Sequence, residues 1–115
     1  MSLPPSYSGL PVEEQYRYYR NICIKFKKII KSSKDIDELQ MHMDQFLNAS
    51  KQVQWPHETS QVYHKDIAEK TLQKVPNEFR RYIQDLEKDS SHANPQDLLD
   101  ALEMVETMID SLKIR

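Results

Sequence analysis

Apolar residues recur along most of this chain at the spacing of an α-helix. In the first such segment they step by three or four positions, at Val12, Tyr16, Tyr19, Cys23, Phe26 and Ile30. Because an α-helix has about 3.6 residues per turn, this spacing aligns them on one face. Pro11 suits the first helical position, where its missing N–H costs no hydrogen bond. The pattern therefore predicts a first helix from Pro11 to about Lys31.

A second apolar face follows the short polar stretch that ends at Asp35. Asp35 and Glu38 have the spacing of a capping box, with aspartate in place of the usual serine or threonine. The face itself comprises Ile36, Leu39, Met43, Phe46, Ser50 and Val53, and Leu47 widens it. We expect this helix to end before Trp55, because a residue that precedes a proline is disfavoured in the helical region.

The remainder of the chain predicts two less regular segments and one long helix. The third segment runs from about Pro56 to Lys74, and Pro76 either ends it or kinks it. A fourth segment is carried by Phe79, Tyr82, Ile83 and Leu86. Asn94 then provides an N-cap for the last helix, whose apolar face comprises Leu98, Leu102, Val105, Ile109 and Leu112. The predicted fold class is all-α, an antiparallel bundle of four to five amphipathic helices that forms a single domain from residue 11 to residue 115.

Residues 1–10 lack this periodicity. They are rich in proline and serine and contain the only glycine of the chain, so we expect a short flexible N-terminal tail. Within it, "PPSY" is a PPxY sequence and resembles the ligand peptides of WW domains. The resemblance covers four residues and implies a WW-domain protein as a partner, bound through Pro4, Pro5 and Tyr7.

The composition excludes several kinds of chemistry. With one glycine in 115 residues, the chain has no P-loop, dinucleotide fingerprint or nucleophile elbow, because these motifs need glycines. A single cysteine, Cys23, precludes an internal disulfide, and it falls on the apolar face of the first helix. The four histidines show no metal-binding spacing with one another or with glutamate. We therefore predict a non-enzymatic protein without a cofactor or a metal.

The sequence also bears on location. No apolar stretch approaches the roughly 20 residues of a membrane span, and the N-terminus has no signal-peptide pattern. The lone cysteine is consistent with a reducing compartment. We expect no integral membrane association and a cytoplasmic or nuclear location.

Positive charge is concentrated in the first helix. Between Tyr16 and Lys34 the chain has two arginines, five lysines and no acidic residue, although its net charge is −2. One interpretation is a polyanion-binding surface for nucleic acid or an anionic membrane, formed by Arg17, Arg20, Lys25, Lys27, Lys28, Lys31 and Lys34. The alternative is that the acidic last helix lies beside the first and neutralises it, through Asp97, Asp100, Glu103, Glu106 and Asp110. The negative net charge favours the second interpretation, and the order of helix packing decides between them.

The long apolar faces predict a protein–protein interaction module, such as an adaptor, an assembly factor or a subunit of a larger complex. Trp55, the only tryptophan, either covers one end of the core or anchors a partner. Met41 and Met104 fall off the apolar faces and are candidate contact residues, and Tyr18 is another because it faces away from its helix's stripe. Apolar residues on more than one face of the first or last helix would also support a homodimer. The alternative function is polyanion binding through the first helix.

Overall fold

A computed structural model of the chain describes residues 12–53 and 65–113, whose backbone forms four α-helices. They are α1 (Val12–Ser32), α2 (Ile36–Gln52), α3 (Lys65–Lys88) and α4 (Gln96–Lys113). This part of the chain contains no strand, and the predicted all-α class is confirmed. None of the described helices is both long and apolar enough to cross a bilayer. The predicted tail, residues 1–10, lies outside the described residues.

The predicted third and fourth segments meet in one helix, because α3 runs continuously through Pro76. The described residues therefore contain four helices and no separate fifth one. A proline inside a helix removes a backbone hydrogen bond and costs about 3 kcal/mol. Val75, Phe79 and Tyr82 lie around it and are all buried in the core. Burial of each such side chain contributes about 1.5–3 kcal/mol, so the continuous apolar face outweighs the proline.

Capping explains the sharp turn between α1 and α2. As predicted, the Asp35 side chain accepts hydrogen bonds from the backbone N–H groups of Asp37, at 3.0 Å, and Glu38, at 3.4 Å. Glu38 reaches back to Asp35 through Ser33 rather than directly. The Ser33 hydroxyl donates to Glu38 Oε1 at 2.7 Å and accepts from the Asp35 N–H at 3.1 Å. The predicted capping box is thus closed by a third residue.

The four helices pack as a bundle. α1 lies between α2 and α4, and α3 packs against the same two helices from the opposite side. Ion pairs show the antiparallel course of α1 and α4, since Arg20 pairs with Asp110 whereas Lys27 pairs with Glu103. The interface between α2 and α3 is the smallest of the four between neighbouring helices. It leaves a groove open along one side of the bundle.

The core draws mainly on residues of the predicted apolar faces. Leu39 and Phe46 of α2 are fully buried, as are Tyr19 and Phe26 of α1. The rings of Tyr19 and Phe46 stack with centroids 5.3 Å apart, and Phe26 lies 6.1 Å from Phe79 of α3. Aromatic pairs of this kind contribute about 0.5–1.5 kcal/mol beyond the area that they bury. These ring contacts join α1 to both α2 and α3, the two helices that line the open groove.

Candidate functional site

The basic residues of α1 are divided between the interior of the bundle and its surface, and two of them face α4. The Arg20 guanidinium lies 2.9 Å from Asp110 Oδ1. The Lys27 ammonium lies 2.7 Å from Glu106 Oε2 and 3.3 Å from Glu103 Oε1. The acidic last helix therefore lies beside the first, and it neutralises the basic residues that face it.

Partial burial distinguishes this pairing from ordinary surface ion pairs. The side chains of Lys27 and Glu106 are only 18% and 10% exposed. Burial lowers the pKa of the Lys27 ammonium, but the carboxylates of Glu106 and Glu103 outweigh it, so the pKa is raised overall. The pKa of Arg20 is raised chiefly by its hydrogen bond to Asp110. Arg20 and Lys27 therefore act as structural cations of the α1–α4 interface.

The seven basic residues between Tyr16 and Lys34 are called here the basic strip, and those other than Arg20 and Lys27 are exposed. Arg17 pairs with Glu14 of its own helix at 3.2 Å, and Lys34 donates to the Ser90 carbonyl at 2.8 Å. Three exposed lysines make no ion pair or hydrogen bond with other residues in the described ranges, namely Lys25, Lys28 and Lys31. Of the seven predicted polyanion-binding residues, these three keep a cation available to a ligand.

Two of the predicted partner-binding residues, Met41 and Met104, do not lie on one surface. Met41 and Met104 are 52% and 45% exposed, but α2 and α4 lie diagonally across the bundle, so the two side chains stay apart. Tyr18 is half-buried and packs against the core, although it lies away from the apolar stripe of its helix. Trp55 and the predicted WW ligand, residues 4–7, lie outside the described residues.

An apolar groove between α2 and α3, called here the α2–α3 groove, has a volume of about 400 Å³. Its floor consists of Met43 and Phe79, which are buried, and its walls are Leu47, Pro76 and Ile83, which are half-buried. Four polar residues line its rim: Gln40, Arg80, Gln84 and Glu87. An apolar floor with a polar rim is the composition of a protein-binding surface.

α3 presents the charges of the rim at a fixed spacing. Arg80 and Glu87 are seven residues apart, so they lie on the same face of the helix, roughly 10 Å apart along its axis. Both are exposed, and neither makes an ion pair or a hydrogen bond with other described residues. Arg81, next to Arg80, instead pairs with Glu78 of its own helix at 3.5 Å. The charges at the groove are thus available to a partner.

Met43, Leu47, Phe79 and Ile83 were expected on the apolar faces of helices, and Pro76 at a helix end or kink, so the groove was missed. A signal was nevertheless present in the width of two apolar faces. Leu47 extends the face of α2, and Ile83 extends that of α3 beside Tyr82. An apolar face wider than one neighbouring helix can cover is left partly open.

A second cavity, of about 510 Å³, lies where the end of α1 meets α3 and the segment before α4. Lys31, Lys34 and Ser33 contribute polar groups to it. Lys34 is engaged by the Ser90 carbonyl, however, and the Ser33 hydroxyl by Glu38. Only Lys31 brings an unengaged cation to this cavity from the described residues, which does not amount to an anion site.

The described residues offer little reactive chemistry. Within residues 12–53 and 65–113, no group of three or more His, Cys, Asp or Glu side chains is placed to hold a metal ion. Cys23 is fully buried, and burial raises the pKa of its thiol far above the usual value. Since the thiolate is the nucleophilic form, this cysteine is unreactive in the folded protein. What the surface does provide is an apolar groove and a set of cations without partners in the described ranges.

Comparison of the chain with protein-family models, curated proteins and solved structures finds no match. Its function is therefore inferred from the surfaces of the bundle themselves.

Proposed function

We propose that this chain is a protein–protein interaction module that binds its partner through the α2–α3 groove. The observation that carries the proposal is an open apolar groove with a polar rim at the smallest interface between neighbouring helices. A groove of this shape accepts one apolar face of an amphipathic helix, whose side chains enter at intervals of three or four residues. An adaptor, an assembly factor or a subunit of a larger complex would use such a surface.

The groove is suited to binding because its floor is already ordered. Met43 and Phe79 are 2% and 6% exposed and belong to the core, so little conformational entropy is lost there when a partner docks. Leu47 and Ile83 remain half-buried. Covering their exposed surface contributes about 25 cal/mol per Å² of apolar area.

Pull-down with charged variants tests the proposal. Leu47→Lys and Ile83→Lys each place an ammonium in the groove, whereas Met41→Lys places one on the outer face of α2, where Met41 is 52% exposed. We expect wild type and Met41→Lys to retain the same partner protein at low and high salt. The groove variants should lose it. Thermal melting, monitored by circular dichroism, verifies that each variant is folded.

Two results would overturn the proposal. One is the recovery of identical proteins by wild type and both groove variants. The other is a set of proteins that disappears at high salt for every form of the bait, because binding through an apolar groove is only weakly dependent on ionic strength.

A polyanion-binding role remains the second candidate, and one observation favours it. Lys25, Lys28 and Lys31 are exposed and unpaired among the described residues. They follow one another at intervals of three residues, so they lie on one side of α1. This role predicts binding of a single-stranded oligonucleotide or of anionic vesicles that weakens steeply as salt rises.

Charge reversal distinguishes this role from non-specific attraction. Changing Lys25, Lys28 and Lys31 to Glu should abolish the binding. A control that changes Lys51, Lys70 and Lys88 to Glu has the same net charge but reverses exposed lysines elsewhere. Equal losses in the two triple variants, or no binding by wild type at low salt, would rule out α1 as a polyanion site.

A further inference from the structure

The charges along the α2–α3 groove are arranged so that they can complement a second copy of themselves. Arg80 and Glu87 have opposite signs, and the midpoint between them falls between Ile83 and Gln84. When a second α3 crosses the first in the antiparallel direction about a two-fold axis at this midpoint, residue 80 of each faces residue 87 of the other. Both ion pairs then form at once, as an isologous contact requires.

We propose that the occupant of the α2–α3 groove is α3 of a second copy of this chain, which makes the protein a two-fold symmetric homodimer. This inference rests on the proposed function, since it names the partner of the same groove. Each Arg80 pairs with Glu87 of the other copy. Ile83 lies next to the two-fold axis and enters the other copy's groove.

The charges of the rim are the reason for choosing a second copy over an unrelated helix. Arg80 and Glu87 are exposed and make no contact with a charged group elsewhere in the described residues. An unrelated helix would need a carboxylate and a cation of its own at a spacing of two turns. A second α3 already has both, at the required spacing and in the required order.

The apolar residues beside these charges are compatible with the same contact. Pro76 and Ile83 of α3 and Leu47 of α2 face the groove and are half-buried. In the dimer these side chains cover one another, and Gln84, exposed near the axis, can exchange amide hydrogen bonds with its counterpart. The apolar contact supplies the affinity, whereas the exposed ion pairs set the direction and register of the helices.

Sedimentation equilibrium of the purified full chain over a wide range of concentrations tests the proposal. We expect wild type to shift towards twice the monomer mass as concentration rises. Arg80→Glu and Glu87→Arg should each weaken self-association at least roughly tenfold, because each puts two like-charge pairs across the interface. Arg81→Glu is the matched control. Arg81 is exposed and pairs within its own chain, so this variant should associate like wild type.

Mixing the two variants gives the sharpest result. In an equimolar mixture, the Arg80→Glu chain carries two carboxylates and the Glu87→Arg chain two guanidinium groups, so a heterodimer should form at concentrations where each variant alone associates only weakly. The double variant Arg80→Glu/Glu87→Arg should associate with itself again. Recovery of both associations also shows that the single variants lost a contact rather than their fold.

The proposal is overturned if wild type stays monomeric at all concentrations, or if mixing the variants restores no association. In the first case, loss of a different partner protein by Ile83→Lys would still support the groove as a docking site, so the two proposals fail separately. A wild-type dimer whose association is unchanged both by Arg80→Glu alone and by Glu87→Arg alone would use another surface, and it too would overturn the inference.

Discussion

Cys23 and His42 are titratable side chains that the bundle keeps out of water. Cys23 is fully buried and His42 is 6% exposed. The imidazole of His42 stacks on the ring of Phe26, with centroids 6.2 Å apart. Burial lowers the pKa of His42, the charge of Lys25 lowers it further, and Glu38 opposes these effects. Burial thus favours the neutral form of both side chains, because it disfavours the charged one.

We expect a thiol reagent to modify Cys23 only as fast as the protein unfolds. The thiol is fully buried and burial raises its pKa, so neither access nor thiolate is available in the folded state. The reaction should be immediate in denaturant and slow in native buffer. With a reagent that releases a chromophore on reaction with a thiol, absorbance measures the rate. Rapid modification of the native protein would contradict the buried position.

His42 should make the stability of the protein depend on pH in mildly acidic solution. Its pKa is lower in the folded than in the unfolded state, so the unfolded chain binds the proton more tightly and protonation favours unfolding. The free energy of unfolding should therefore be independent of His42 well above 6.5, the usual pKa of histidine. It should decrease as pH falls from there through the folded-state pKa. Thermal melts measure the effect.

The variant His42→Gln removes the titrating ring and provides the comparison. Between neutral and mildly acidic pH, its melting temperature should fall less than that of wild type. An equal fall in melting temperature for the two proteins would show that another group is responsible for the pH dependence.

α3 is the helix that differs most from its predicted pattern. Pro76 was expected either to end a helix or to kink it, and α3 does not end there, because it continues for twelve residues beyond the proline. The proline also forms part of the wall of the α2–α3 groove. The proline removes one backbone hydrogen bond, which is a local loss. The buried residues on both sides of it, Val75 and Phe79, pack in the core. The packing of α3 therefore decides the outcome.

Pro76→Ala should raise the free energy of unfolding by about 1–3 kcal/mol, because alanine restores the backbone donor and favours the helix. Urea unfolding measures the change. Gln73→Ala, an exposed position one turn earlier, is the control and should change stability by less than about 0.5 kcal/mol. A loss of stability in Pro76→Ala would show that the proline ring is needed for packing beside Leu47.

The bundle as a whole is closed by its first and last helices. α1 and α4 pair through Arg20, Lys27, Glu106 and Asp110, and this pairing uses the charge asymmetry between the two ends of the chain. The pairing consumes only part of the basic strip. In the described part of the chain, Lys25, Lys28 and Lys31 face outward and the α2–α3 groove stays open, so the pairing of α1 with α4 covers neither of these surfaces.

Glu106→Gln should lower the free energy of unfolding by about 1–3 kcal/mol, because it leaves the half-buried ammonium of Lys27 without its closest carboxylate. Glu103→Gln is the matched control. The side chain of Glu103 is 71% exposed, so the expected loss is below about 1 kcal/mol. Urea unfolding of both variants measures the difference. Equal losses would indicate that burial of Glu106 adds nothing to the closure.

Most of the helical architecture could be predicted from the sequence, because its causes are local. The spacing of Tyr19, Cys23 and Phe26 predicts the buried face of α1, and Asp35 predicts the start of α2 by its ability to cap. The exposure of Met41 and Met104 also follows from their positions off the apolar faces. Tyr18 lies off the apolar stripe of α1 and is nevertheless half-buried against the core, an environment that tertiary contacts decide and periodicity does not.

What the sequence by itself determined is which residues form helices and which faces of these helices are apolar, since hydrogen bonding and periodicity act within a few turns. Only the tertiary structure decided which helices are neighbours. That order depends on contacts between residues far apart in the chain, such as Arg20 with Asp110. It determines that Lys27 is paired while Lys28 has no partner among the described residues, and that a groove remains beside Ile83. The charge asymmetry between the two ends of the chain favours α4 beside α1. The packing of the apolar faces, however, decides that the groove between α2 and α3 stays open.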